Sequence, residues 1–117
     1  MNARAVLFSR PHLVELRDVE IPLPAEGETA LHALATAVSA GTELRCLRGE
    51  QPGFGTDHFP FVPGYAFVGR DEAGRRFFGG GTKRASVNLG WGGHVSRAVA
   101  PTAADAGPVA AAKASSK

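Results

Sequence analysis

Residues 65–78, with the sequence YAFVGRDEAGRRFF, decide the fold that we predict for this chain. Aromatic and branched residues on both sides of a short polar segment are typical of two strands joined by a turn. The polar segment, residues 71–74, begins with Asp71 and ends with Gly74, and both residue types favour turns. We therefore predict a β-hairpin with strands at residues 65–68 and 75–78.

Further segments extend this β pattern in both directions along the chain. Residues 4–8 (RAVLF) are a short β-rich run, and residues 12–19 (HLVELRDV) alternate in a strand-like way. The prolines at positions 22 and 24 bias residues 21–24 towards an extended connection. Residues 94–99 (HVSRAV) form the last predicted strand, which Pro101 would end.

Two segments in the first half of the chain carry helical signals. Residues 29–39 are apolar and rich in alanine, so their pattern fits a strand or a helix. Residues 41–49 (GTELRCLRG) predict one or two helical turns. In this helix Thr42 is the predicted N-cap and Gly49 the predicted end.

The composition agrees with a single, mostly β domain. The chain has 117 residues, 44% of them hydrophobic, with 15 glycines and 8 prolines. Short strands with many turns explain these glycines and prolines better than a helical bundle does. After Pro101 the sequence is nearly all small or polar, so we predict a folded domain at residues 1–101 and a flexible tail at residues 102–117.

The charge balance argues against a nucleic-acid-binding surface. The net charge is only +2, which gives no strongly basic field. Four basic residues do crowd together, Arg75, Arg76, Lys83 and Arg84. We interpret them as a solvated hairpin, with an anion-binding or nucleic-acid-binding barrel as the weaker alternative.

The single cysteine and the N-terminus indicate the compartment. Cys46 is the only cysteine in the sequence, so an internal disulfide is excluded. We predict that Cys46 is a small core residue rather than a nucleophile activated by Arg45 and Arg48. No run of apolar residues is long enough to span a membrane, and no signal-peptide pattern opens the chain. We expect a soluble cytoplasmic protein.

The sequence contains no self-contained motif for nucleotide or metal binding. It has neither a G-x-G-x-x-G nor a G-x-x-x-x-G-K-[ST] motif, and residues 79–81 (GGG) read as a turn or bulge. The histidines, His12, His32, His58 and His94, are far apart in sequence. We interpret them as ordinary surface or partly buried side chains.

Three segments in order resemble the N-terminal, GroES-like substrate domain of the medium-chain, zinc-type alcohol dehydrogenase superfamily. Residues 37–43 (AVSAGTE) are similar to the family's G-I-C-G-T-D turn, and residues 61–70 (FVPGYAFVGR) to its P-x-I-x-G-H-E-x-x-G-x-V segment. Residues 92–101 (GGHVSRAVAP) are similar to G-G-x-A-E-Y-x-x-V-P. The resemblance implies a partly open β barrel with one or two short helices, and S-A-G-T-E resembles a branch with bacteriochlorophyllide-type members.

The same resemblance indicates which site residues remain and which are lost. Ala40, Tyr65 and Ala66 occupy the positions of the family's cysteine, histidine and glutamate, so we predict that the catalytic zinc is absent. Thr42 falls at the relay hydroxyl and Glu43 at the orienting carboxylate, and Tyr65 could donate to a substrate carbonyl. Helix capping by Thr42 and Glu43 and core packing by Tyr65 are the structural alternatives.

The implied function is that of a stand-alone or truncated substrate domain without catalysis of its own. NAD(P) is implied only for a full-length relative, because no cofactor-binding residues are found in this chain. We expect a homo-oligomer or a separate nucleotide-binding domain as partner, and an alcohol or carbonyl compound as the family's substrate. The alternative is a non-catalytic interaction module, with an exposed patch lined by Trp91, Phe54, Phe59 and Phe61.

Overall fold

Eight strands and one α-helix make up residues 1–102, which are the residues that the computed structural model describes. The strands are β1 (Asn2–Arg10), β2 (Leu13–Glu20), β3 (Glu28–Ala37), β4 (Phe61–Val62), β5 (Ala66–Arg70), β6 (Arg76–Gly79), β7 (Asn88–Leu89) and β8 (Arg97–Pro101). The helix α1 is Ala40–Leu47, and a short 3₁₀ turn spans Thr56–His58. Residues 103–117, most of the predicted flexible tail, lie outside the described residues.

The strands form two four-stranded sheets. One sheet has the order β2-β1-β4-β7 and the other the order β6-β5-β3-β8. The two sheets do not close into a barrel, which confirms the prediction of a mostly β, partly open fold with few helices. No helix among residues 1–102 is long and apolar enough to cross a membrane.

The predicted hairpin is confirmed as β5 and β6. Val68 pairs with Phe78 and Gly69 with Phe77, in antiparallel register. The turn is held by Asp71, whose Oδ1 accepts hydrogen bonds from the backbone N–H groups of Ala73 and Arg75 at 3.0 and 2.8 Å. Burial of Asp71 opposes its ionisation, but these bonds and the Arg75 guanidinium outweigh it and lower the pKa of the carboxyl below its ordinary value.

The ambiguous alanine-rich segment is a strand, β3. Residues at its start pair with β8, for example Thr29 with Ala100, and residues at its end pair with β5, for example Thr36 with Phe67. The partner strands supply backbone hydrogen bonds that alanine's helical propensity cannot match here. Tertiary context therefore decides a pattern that fits both structures.

Two hydrophobic clusters stabilise the fold. The larger includes Leu7, Ile21, Leu31, Phe67 and Val99 and lies between the sheets. The smaller contains Phe61, which sequence reasoning placed in an exposed patch, and for this residue the prediction is wrong. This cluster consists of Phe8, Cys46 and Phe61, with Phe54, Phe59 and Trp91 packed against them. Phe61 is completely buried because neighbouring rings surround it.

Several predicted boundaries are corrected by the structure. The N-cap of α1 is Ser39 and not Thr42, which lies inside the first turn. The last strand begins at Arg97, three residues later than predicted, although Val95 forms an isolated bridge with Ala5. The short strands β4 and β7, each of two residues, were missed because they lack a periodic pattern long enough to detect.

Candidate functional site

The first turn of α1 buries a carboxylate, Glu43. Its backbone N–H donates to the carbonyl of Ser39 at 2.8 Å, and its Oε2 accepts the backbone N–H of Ser39 at 3.1 Å. The Glu43 carboxylate thus caps the backbone N–H of the N-cap residue, and this contact limits the rotamer of Glu43. The capping role predicted for Glu43 is therefore confirmed, while Oε1 remains available for a second partner.

That second partner is His94. The two side chains are 6% and 8% exposed, and His94 Nε2 lies 2.8 Å from Glu43 Oε1. The other ring nitrogen, Nδ1, lies 2.8 Å from the hydroxyl oxygen of Thr36 on β3. The three side chains form a continuous chain of hydrogen bonds from the buried carboxylate of Glu43 to the hydroxyl of Thr36, an exposed residue.

The backbone around His94 explains why the ring occupies this place. The His94 N–H donates to the Pro63 carbonyl at 3.0 Å, and the His94 carbonyl accepts the Val6 N–H at 2.9 Å. Gly64 lies against the ring, where a Cβ atom would come within 2.6 Å of His94 Cδ2. Gly64 also has φ +99°, a conformation that residues with a side chain rarely adopt.

The direction of the hydrogen bonds follows from the chemistry of the groups. A carboxylate that has lost its proton only accepts, so a neutral imidazole in contact with it carries its own proton on the facing nitrogen, here Nε2. Nδ1 then carries the free lone pair and accepts from the Thr36 hydroxyl. A carboxylate, an imidazole and a hydroxyl in this order are the groups of a general acid–base relay.

An open apolar cavity lies above this chain of hydrogen bonds, and we call it the trough. It has a volume of about 510 Å³ and lies between β1, β2, the end of β3 and α1. Its lining consists of Val6, Phe8, Val14, Val38, Ala40, Leu44 and Leu47, together with Thr36, Glu43 and His94. A smaller depression of about 280 Å³ shares Val6, Thr36 and His94 with it and adds Leu16 and Leu34.

A second large cavity lies beside the β5–β6 hairpin, and we call it the hairpin cavity. Its volume is about 480 Å³, and its lining includes Tyr65, Ala66, Phe78 and, again, Thr36. Tyr65 is half-exposed and packs edge-on against Trp91, with the ring centroids 5.1 Å apart. Tyr65 is therefore packed against the protein only in part, through its contact with Trp91, and it is not a core residue. Thr36 is the residue that the trough and the hairpin cavity have in common.

The three predicted site residues are not brought together in one cavity. Glu43 lines the trough, Tyr65 lines the hairpin cavity, and Thr42 is half-buried on α1 beside Glu43 without belonging to either lining. Their assignment by resemblance stays a prediction. The structure adds His94 and Thr36, which sequence reasoning missed as site residues because Glu43 and His94 are 51 positions apart and no local motif joins them.

The positions that the resemblance assigns to zinc do not fit a metal ion. Ala40 and Ala66 offer no donor atom, and the ring of Tyr65 leans on Trp91. Among residues 1–102 no group of three or more His, Cys, Asp or Glu side chains is placed to hold a metal. His58, for example, instead contacts the Leu89 carbonyl at 3.1 Å and stacks on Phe54.

The basic cluster is partly neutralised by carboxylates. Arg84 donates to Glu28 Oε2 at 3.1 Å, and its hydrogen bond lowers the pKa of that carboxyl. Arg75 pairs with Asp71 at 2.9 Å. Two of the four basic residues, Arg75 and Arg84, are thus paired with carboxylates of the same domain. This supports the interpretation of the cluster as a solvated surface rather than as an anion-binding site.

Cys46 is the small core residue that the sequence predicts. It is completely buried next to Phe8 and Phe61. Burial raises the pKa of its thiol, and the nearby Glu43 raises it further, against a weaker opposing effect of Arg45. Since a thiol must ionise to act as a nucleophile, Cys46 is unsuited to that chemistry.

No family model matches the chain, but the chain is similar to proteins of known sequence and structure. A 2-desacetyl-2-hydroxyethyl bacteriochlorophyllide A dehydrogenase from Cereibacter sphaeroides is 32% identical over 69 residues, which are 59% of this chain. The chain spans 22% of that relative. The match shows that the chain is homologous to part of a dehydrogenase.

A solved structure shares the fold. It is a short chain alcohol dehydrogenase, RspB, from Escherichia coli CFT073, complexed with the cofactor NADH. The superposition has a TM-score of 0.62 at 19% sequence identity, and it covers 86% of this chain and 36% of the other. At this identity the likeness establishes the fold alone.

Proposed function

We propose that this chain is the substrate domain of a medium-chain, GroES-like type of dehydrogenase, and that it acts on an alcohol or carbonyl group of a small molecule together with a nucleotide-binding domain. In this proposal the chain supplies substrate binding and proton transfer, and a nicotinamide held by the other domain supplies hydride chemistry. The homology to a dehydrogenase supports the reaction class.

The observation that carries the proposal is the trough with its polar floor. An apolar cavity of about 510 Å³ is within the usual range for small-molecule sites, about 300–1,000 Å³. Its polar groups, Thr36, His94 and Glu43, converge at one place on its wall. A largely apolar molecule with one reactive oxygen suits such a lining, because each buried polar group of a ligand needs a partner.

The relative suggests a more specific substrate. Its name describes a dehydrogenase of a hydroxyethyl group on a bacteriochlorophyllide. We therefore include a secondary alcohol on a large, flat ring system among the proposed substrates of this chain. The proposed chemistry is independent of zinc, which is supported by the alanines at positions 40 and 66 because alanine has no donor atom for a metal.

Two preparations test the proposal. The first is the chain alone, which we expect to give unliganded masses in native mass spectrometry with zinc and NADP(H), and no turnover. The second is a fusion of this chain to the part of the C. sphaeroides dehydrogenase that follows the aligned segment. We expect the fusion to oxidise 2-desacetyl-2-hydroxyethyl bacteriochlorophyllide with NAD(P)⁺. Turnover by the chain alone, or a folded fusion that binds NADH without turnover, contradicts the proposal.

The exposed apolar side chains around the trough favour a second candidate, the interaction module. Val14, Leu16, Val38 and Leu44 are about half-exposed or more, and they lie on β2, α1 and the segment between β3 and α1. An apolar surface of this kind can bind another protein as well as a ligand. The assembly state, measured by sedimentation of the wild type and of Val38→Ser and Leu44→Ser, separates the two candidates. An interaction module should lose its self-association or its bound partner in these variants. A substrate domain should have the same assembly state in the variants as in the wild type.

A further inference from the structure

We infer that Thr36, His94 and Glu43 form a zinc-independent proton relay, in which the Thr36 hydroxyl contacts the substrate oxygen. This inference deepens the proposed function and rests on it. It assigns the proton-transfer role to Thr36, in place of the Thr42 and Tyr65 that the family resemblance indicates.

Thr36 is the residue of the relay that a ligand can most readily contact. Thr36 is exposed and belongs to the lining of the trough, of the smaller depression and of the hairpin cavity. A ligand in either large cavity would therefore lie against Thr36. His94 and Glu43 also line the trough but are almost completely buried, so Thr36 is the most exposed of the three residues.

The order of the three groups suits proton transfer. Both contacts of the ring are 2.8 Å long, a normal length for a strong hydrogen bond. Glu43 contacts Nε2 of the ring, and the Thr36 hydroxyl contacts Nδ1. A proton accepted on Nδ1 therefore produces an imidazolium beside a carboxylate. The carboxylate stabilises that charge where water is excluded.

The reaction step balances without a metal. A secondary alcohol gives its C–H hydride to the nicotinamide cation, the oxidant that the proposed nucleotide-binding domain supplies. Its O–H proton passes to the Thr36 oxygen while the Thr36 proton passes to His94 Nδ1, and a C=O double bond forms. The products are a ketone, a reduced nicotinamide and protonated His94, which returns its proton to solvent after the ketone leaves. Carbonyl reduction follows the same steps in reverse.

The support around His94 is specific to this geometry. Gly64 allows the ring to lie against the backbone, because any Cβ atom there would overlap it. Ser39 holds Oε2 of Glu43 and leaves Oε1 directed at Nε2. Both contacts limit the ring to one orientation, which a relay requires and a merely buried histidine does not.

The test has two readouts. In the ¹⁵N-labelled full chain, NMR of the His94 ring should show the Nε2–H tautomer. An Nδ1–H tautomer would overturn the relay, because Thr36 would then accept rather than donate. In the fusion described above, Thr36→Val should lower kcat by about 100-fold or more, with KM and NADH affinity little changed.

Matched variants separate a relay from a structural role. Thr36→Ser should restore most of kcat, and the solvent deuterium isotope effect of the wild-type fusion should disappear in Thr36→Val. Thr29→Val, the same change on the same strand, should leave kcat unchanged. A fusion that turns over normally as Thr36→Val, or that loses more activity as Tyr65→Phe, overturns the relay alone. A folded fusion that binds NADH and oxidises no alcohol overturns the proposed function and the relay with it.

Discussion

The two halves of β3 have opposite environments although their sequences are alike. Leu31, in the first half, is 3% exposed and belongs to the large hydrophobic cluster. Leu34, three residues later, is 47% exposed and lines the depression that adjoins the trough. The register with β5 shifts between Ala33 and Ala35, so the alternation of faces is interrupted at this point.

The comparison shows that apolar residues of one strand can belong to the hydrophobic core in one half and line an open cavity in the other. In the first half, β8 pairs with the strand and the core covers Leu31. In the second half, the sequence continues to be apolar, yet its side chains face open space near Thr36 and His94. Apolar surface left uncovered next to a polar network is the arrangement of a binding site.

The largest expected loss of stability comes from a substitution in the first half of β3. Leu31→Ala should lower the free energy of unfolding by about 2–5 kcal/mol, because it leaves a cavity in the core. Leu34→Ala, the matched change, should alter it by about 0.5 kcal/mol or less, as is usual for exposed positions. Urea denaturation of both variants measures the difference. Equal losses would contradict the division of the strand into a core half and a site half.

A smaller effect is expected at the support of the site. Gly64→Ala should cost about 1–3 kcal/mol, from its positive φ and from overlap with the His94 ring. Gly53→Ala is the control, since Gly53 has φ +89° but no atom lies within 4 Å of the place that its Cβ would take. The difference between the two free energies of unfolding isolates the ring contact. If Gly53→Ala costs as much, the ring does not lie against Gly64.

The smallest expected effect concerns the hairpin, far from the trough. Asp71→Asn should lower stability by about 1–2 kcal/mol at neutral pH, because charged hydrogen bonds to Arg75 are lost. The folded-state pKa of Asp71 is depressed, so its contribution is present above the unfolded value of 3.8 and is lost as the pH falls through the folded pKa. The gap between wild type and Asp71→Asn should therefore narrow in acid.

Asp18→Asn provides the comparison for Asp71→Asn. Asp18 pairs with Arg4 at 3.1 Å, but its side chain is 67% exposed. A surface pair of this kind contributes about 0–1 kcal/mol. Urea denaturation should show little change in stability for Asp18→Asn, and a loss as large as that of Asp71→Asn would refute the stabilising role given to the hydrogen bonds of Asp71.

Local signals in the sequence predict much of the fold. The hairpin at β5 and β6 and the strands β1 and β2 follow from alternation and turn residues, because these interactions join near neighbours. The candidate site could be predicted only at Glu43, through its resemblance to a family motif. Its partners His94 and Thr36 lie on other elements, and only packing of the two sheets and α1 brings them together.

The aromatic residues show why the remaining errors arise. Sequence reasoning places Phe54, Phe59, Phe61 and Trp91 in an apolar patch that the absence of a partner domain would expose. In the structure their rings pack on one another with centroids 4.8–5.6 Å apart. Exposed apolar surface is also provided by strand and helix residues such as Val14 and Leu44, which sequence reasoning did not single out.

The most direct test of the proposed function is the rate of NADH formation by the fusion, measured with 2-desacetyl-2-hydroxyethyl bacteriochlorophyllide beside the chain alone. We expect alcohol-dependent NADH formation by the fusion and none by the chain. A folded, NADH-binding fusion that forms no NADH, or a chain that forms it unaided, would contradict the proposed function.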